Sequence, residues 1–146
     1  MKQRVLIFIL SLFILSVTYT FAGEHPGEHP GEEWVEKDRV KEAIKDYIEK
    51  DTALKGGYFL LWDDKEGRTL RLKFSKFHKK VRYIKDEGAY FMCTDFISVD
   101  DRRLIDVDFW LKPAEDGTLR VTAIKIHKVN NFPRFIYEKD RIKPVE

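Results

Sequence analysis

An α+β fold is predicted by three features of the sequence: one helical apolar stripe, a switch to two-residue alternation after Gly57, and turn residues at regular intervals thereafter. The expected architecture is one N-terminal helix packed on a curved antiparallel meander of four to five strands. Residues 34–146 are expected to form this single domain, preceded by a leader over 1–22 and an arm over 23–33.

Met1-Lys2-Gln3-Arg4 is a short positive start, Val5 to Val17 is apolar apart from two serines, and Thr20-Phe21-Ala22 ends in a small-residue cleavage pair. This is the layout of a bacterial secretory signal peptide. Export to the periplasm or beyond excludes genomic DNA, ATP-driven machinery and most nicotinamide chemistry. Left uncleaved, Val5 to Ala22 is just long enough to cross a bilayer; once it is cleaved, no stable membrane insertion is expected. The chain carries 27 Lys and Arg against 25 Asp and Glu. Lys2 and Arg4 fall in the leader and no acid does, so the remainder is formally neutral, with no field favouring nucleic acid.

The arm writes Gly-Glu-His-Pro twice from Gly23 and begins it a third time. Proline every fourth residue blocks helix growth and glycine keeps the segment pliant, so a solvated spacer is expected first. If cleavage follows Ala22, a second expectation opens. The free amine of Gly23, two backbone amides through Glu24 and the imidazole of His25 form a square-planar nitrogen set for Cu(II) or Ni(II), and His29 with Glu28 could assist a second, weaker site.

Trp34 to Lys55 predicts the helix, because Val40, Ala43, Ile44, Tyr47 and Ile48 fall on one stripe. Gly56-Gly57 ends it. Tyr58 to Trp62 and Thr69 to Phe74 flank the polar Asp63–Gly67 loop as a hairpin. Phe77 to Ile84 either continues the second strand or forms another. Ala89 to Val99, Leu104 to Lys112 and Thr118 to Val129 complete the meander. Asn130 to Pro133 is expected to end regular structure, with Phe135, Ile136 and Tyr137 of the tail docking on the body.

This order, from Trp34 to Val129, resembles the cystatin-like and NTF2-like rolls, in which a bent antiparallel sheet wraps an N-terminal helix. It is also similar to small exported bacterial domains. The Gln-x-Val-x-Gly protease-blocking loop typical of cystatins is absent, so the resemblance does not imply protease inhibition.

Tyr58-Phe59-Leu60-Leu61-Trp62 and Ala89-Tyr90-Phe91-Met92 are apolar on both faces. One helix covers only one face, so the other must meet the tail, a second copy of the chain or a ligand. Tail plus homodimer is expected ahead of a ligand pocket.

Four sets of residues could carry chemistry. Cys93, the sole cysteine, allows no internal disulfide and is expected to be a buried small hydrophobe rather than a reactive thiolate. Asp95, Asp106 and Asp108 are catalytic candidates. If Asp100-Asp101 is a two-residue turn, Asp95 falls opposite Asp106 and Cys93 opposite Asp108, a repelling pair suited to proton transfer. With a three-residue turn the register slips, and the acids form an ordinary solvated face, which is expected first. His78, Lys79, Lys80 and Arg82 lie among aromatics and could hold an anion, although a lysine-guarded edge strand is expected first. His127 is expected to be surface decoration. Nucleophile-triad, paired-cysteine and phosphate-loop patterns are absent. The expected role is therefore an exported, non-catalytic binding or accessory domain with no required cofactor, its partner an exported ligand or protein. The alternatives are a copper or nickel protein working through its arm, and an NTF2-like enzyme using the Asp pair.

Overall fold

The structure, a computed structural model, describes residues 37–138 and 141–145. The expected leader, the arm with Gly23, Glu24, His25 and His29, and the start of the helix at Trp34 lie outside the described residues. Among those described, no helix is long and apolar enough to cross a membrane.

Helix α1 (Lys37–Leu54) buries Val40, Ile44 and Ile48 on the expected stripe. Gly56 and Gly57 take φ of 69° and 89°, and the Gly57 amide donates back to the Thr52 carbonyl at 2.9 Å. This left-handed stop closes the helix at little conformational cost.

The main sheet is a six-stranded antiparallel meander in chain order: β1 (Phe59–Asp63), β2 (Arg68–Ile84), β3 (Ala89–Ser98), β4 (Leu104–Pro113), β5 (Leu119–Val129) and β6 (Phe132–Pro133). The class is the expected α+β, with more strands than the four to five anticipated. Phe77 to Ile84 continues β2. Asn130 and Asn131, both with positive φ, reverse the chain so that Phe132 pairs with Val129. That is the backbone a two-residue hairpin demands, and it adds a short strand where regular structure was expected to end. Beyond it, β7 (Phe135–Glu138) and β8 (Arg141–Pro144) form a separate hairpin.

Strand alternation sorts the interior into two clusters. Tyr90, Met92 and Phe96 of β3 with Ile105, Val107, Phe109 and Leu111 of β4 meet the α1 stripe, Phe59, Leu70 and Leu72. Their intervening neighbours, Ala89, Phe91 and Trp110, join Ile84 and Phe135 on the second face, with Cys93 and Tyr137 packed alongside. The tail thus covers part of the second face through Phe135 and Tyr137, while Ile136 between them points outward at 44 % exposure. A second copy of the chain is not needed to shield this part.

The tail is clamped from its N-terminal side. Asp63, 0 % exposed, accepts the backbone amides of Lys65 and Glu66 at 3.0 and 3.1 Å, and both terminal nitrogens of the Arg134 guanidinium, one at 2.6 Å. The Val145 amide donates to the Arg134 carbonyl at 3.1 Å.

Candidate functional site

Two interruptions of strand pairing create a hollow on the second face. Between Phe77↔Thr94 and Val81↔Met92, β3 supplies only Cys93 while β2 supplies His78, Lys79 and Lys80. The two surplus residues push β2 outward over Cys93. Between Asp106↔Lys128 and Val107↔Ile126, β5 carries one extra residue, His127. This bulge aims His127 and Lys128 toward the same carboxylates instead of to opposite faces. The resulting pocket of about 490 Å³ is rimmed by Lys76, Lys79, Lys80, Arg82 and Lys128, and walled by Phe77, His78, Phe91, Cys93, His127 and Tyr137.

Three carboxylates lie beside this pocket. Asp95 faces Asp106 across β3 and β4, and Cys93 faces Asp108, the register expected for a two-residue turn. The actual loop is longer, Val99–Arg102 closed by paired Ser98 and Arg103, and it is centred on the same point, which preserves the pairing. The expectation of a solvated acidic face is overturned: Asp106 is 5 % and Asp108 0 % exposed. The β7–β8 hairpin and the His127 bulge cover strand positions that alternation alone leaves open to water. Nor is the pair inside the helix–sheet cone that an NTF2-like enzyme would use. Asp95, Asp106 and Asp108 sit on the face opposite α1.

Each carboxylate has its own company. Asp95 is hydrogen-bonded through Oδ1 to His78 Nε2 at 2.8 Å, and its Oδ2 lies 3.3 Å from Lys76 Nζ. The Tyr137 hydroxyl donates to Asp108 Oδ2 at 2.6 Å. His127 is not surface decoration but buried, its ring stacked on Phe135 at 4.8 Å between centroids. Its Nδ1 lies 3.4 Å from Asp108 Oδ2 and 3.8 Å from Asp106 Oδ2. Asp106 Oδ1, Asp108 Oδ1 and His127 Nδ1 find no hydrogen-bond partner among the described residues. Each such buried polar atom costs about 1–3 kcal/mol when nothing answers it.

Burial, then the Asp108 charge, raises the Asp106 carboxyl above its ordinary value, against the pull of His78, His127 and Lys128. Burial and the same carboxylates hold the Cys93 thiol and the Tyr137 phenol protonated well past their usual range. Cys93 itself is half-buried rather than the fully buried small hydrophobe expected. Chemically, the constellation can hold a proton on the buried Asp106 carboxyl or a cation against carboxylates, imidazole and sulfur. Either use leaves Lys79, Lys80 and Arg82 of the rim to attract an anion, while Lys76 and Lys128 lie against Asp95 and Asp106.

His78, Lys79, Lys80 and Arg82 therefore line the pocket; Arg82 pairs with Phe91 of β3, and β1 pairs only with Arg68–Leu72, so this half of β2 is also the expected lysine-bearing sheet edge among the described residues. His127 and Tyr137 complete the pocket. The bulges leave a trace in sequence: apolar positions run 124, 126 and then 129 in β5, and 72, 74, 77 and 81 in β2. A two-residue rhythm that slips to three or four marks inserted residues. A separate groove of about 540 Å³ between α1 and β2, lined by Ile48, Ala53, Leu72, Phe74 and Phe77, holds no comparable cluster of buried ionisable groups. Compared with family models, with curated proteins and with solved structures, the chain matches none.

Proposed function

We propose that this chain is an exported binding domain whose second-face pocket takes a small ligand with an anionic group and an apolar body. The observation that carries it is the composition of the hollow. Four lysines and Arg82 stand at the rim, and Phe77, Phe91 and Tyr137 form walls for a non-polar portion. A volume of about 490 Å³ lies within the range of small-molecule sites. Cations at a partly enclosed pocket concentrate anions from solution, and aromatic walls add contact area at low entropic cost. Export rests on the leader-like first 22 residues, and the mass of the secreted form tests it: a mature chain beginning at Gly23 is expected.

Binding is tested with 1-anilinonaphthalene-8-sulfonate, an aromatic anion, followed by fluorescence. One saturable site is expected, weakened tenfold or more in Lys80→Glu/Arg82→Glu and weakened by added salt. Equal affinity in the double variant, with its melting temperature preserved, sinks the proposal.

Turnover by the Asp95–Asp106 pair is the second reading, favoured by their cross-strand pairing and by the raised Asp106 carboxyl. Under it, Asp106→Asn would bind an anionic ester substrate normally and fail to convert it. Conversion at an unchanged rate would exclude the pair.

A further inference from the structure

We propose that Cys93, Asp106, Asp108 and His127 form a binding site for a zinc-class divalent transition-metal ion at the base of the second-face pocket. One donor atom from each lies within 4.8 Å of every other. Acidic side chains gather on many surfaces without an ion, so proximity alone would mean little. Here Asp106 Oδ1, Asp108 Oδ1 and His127 Nδ1 are buried without hydrogen-bond partners, in residues more than nine-tenths buried. One unanswered acceptor-capable atom on each of three of these four residues leaves the cluster short of the positive partner that a bound cation supplies.

The spacing agrees. Metal-to-donor bonds of about 2.0–2.3 Å in a tetrahedron set donor-to-donor edges of roughly 3.3–3.8 Å. His127 Nδ1 to Asp108 Oδ2 and to Asp106 Oδ2 measure 3.4 and 3.8 Å. Both are too long for good hydrogen bonds and right for two edges of a site in which each carboxylate ligates through Oδ2, or through both oxygens so that its unanswered Oδ1 is met as well. One sulfur, one imidazole nitrogen and two carboxylates form a mixed set that favours zinc or cobalt over magnesium or calcium, which take oxygen alone. Tyr137, donating to Asp108 Oδ2, supplies the outer hydrogen bond that orients a ligating carboxylate. Cys93 and His127 also line the pocket, which gives the ion a path from solvent.

Asp106 belongs as well to a neighbouring set with His78 and Asp95. An ion at the proposed position draws on one Asp106 oxygen and leaves that second set to hold the far side of the pocket. The inference goes beyond anion binding and shares only the pocket with it. If metal-stripped protein binds anilinonaphthalene sulfonate and no metal, the anion reading stands and this one falls.

The test uses the full chain carrying His25→Ala and His29→Ala, so that the arm contributes no imidazole. It is stripped with chelator and titrated with Zn(II) by calorimetry and with Co(II) by absorption. One equivalent is expected to bind, raise the melting temperature and, with cobalt, give near-ultraviolet thiolate charge transfer and the strong visible bands of a tetrahedral site. Cys93→Ala should erase the charge-transfer band, and Asp108→Asn should weaken binding at least tenfold while retaining the Tyr137 partner. Absence of saturable binding, or binding indifferent to both substitutions, overturns the proposal. Should Asp108→Asn fail to fold, the cobalt spectrum decides: thiolate charge transfer sustains the site and its absence refutes it.

Discussion

Replacing Arg134 by methionine should release the tail hairpin from the body. Asp63 is fully buried and holds the Arg134 guanidinium through both of its oxygens, one bond measuring 2.6 Å. Removing one partner of a buried pair costs about 3–5 kcal/mol, because the remaining charge stays buried and uncompensated. Two features lower that figure here. Asp63 keeps its bonds from the Lys65 and Glu66 amides, and the Arg134 side chain is partly open to water. A loss of about 3 kcal/mol is therefore expected, a large part of the roughly 5–15 kcal/mol that holds a domain together. At about 4 °C per kcal/mol for a chain of this size, the melting temperature should fall by about 12 °C. Thermal unfolding followed by circular dichroism measures it, and limited proteolysis should cut first between Pro133 and Glu138. Arg134→Lys should fall in between, since an ammonium cannot make both bonds. An Arg134→Met melting temperature within 2 °C of the parent's would refute the clamp.

Phe135→Ala should cost about 3 kcal/mol by urea unfolding, because the ring packs among Ile84, Phe91 and Trp110, while Ile136→Ala next door should be near neutral. Hydrogen bonds from Arg103 and then Arg68 lower the Glu66 carboxyl to about 2. A depressed carboxylate stabilises the fold above its unfolded value of about 4.5, and that contribution fades as pH falls toward about 2. Glu66→Gln should therefore flatten the acid side of a melting-temperature-against-pH curve over this window, and an unchanged slope would count against the network. Asn131, at φ 67°, occupies the second centre of a two-residue turn. Asn131→Gly should leave stability equal or higher, whereas Asn131→Val should lower it by about 1–2 kcal/mol in chemical denaturation.

The helix and the five long strands were legible because each rests on a local rhythm. Val40, Ile44 and Ile48 declare a helix face, and Leu70 and Leu72 declare a strand face, without reference to anything distant. The Asp95–Asp106 pairing was legible as one of two registers, since turn residues at 100–101 fix the hairpin's centre. What alternation could not tell is which face of β4 is dry. Asp106 and Asp108 are written like solvent-facing acids, and it takes the His127 bulge together with the Phe135 and Tyr137 side chains, brought in from some thirty residues away, to bury them. His127 was misplaced for a related reason. A histidine between lysines looks exposed until the slip from Ile126 to Val129 is taken as an inserted residue. The β6 strand was missed because asparagine in the left-handed conformation reverses the chain without the glycine that usually announces it.

The outward swing of β2 at His78, Lys79 and Lys80 separates two duties within one strand. Phe77 and Val81 on either side remain bound to the helix-facing interior, whereas the three residues between them carry no share of it. Lys79 and Lys80 are free to vary in charge and size while the architecture persists, whereas His78 stays tied to the buried Asp95. Relatives of this domain would therefore be expected to diverge at those two lysines first, and exchanging that pair is the shortest route to a version with different tastes.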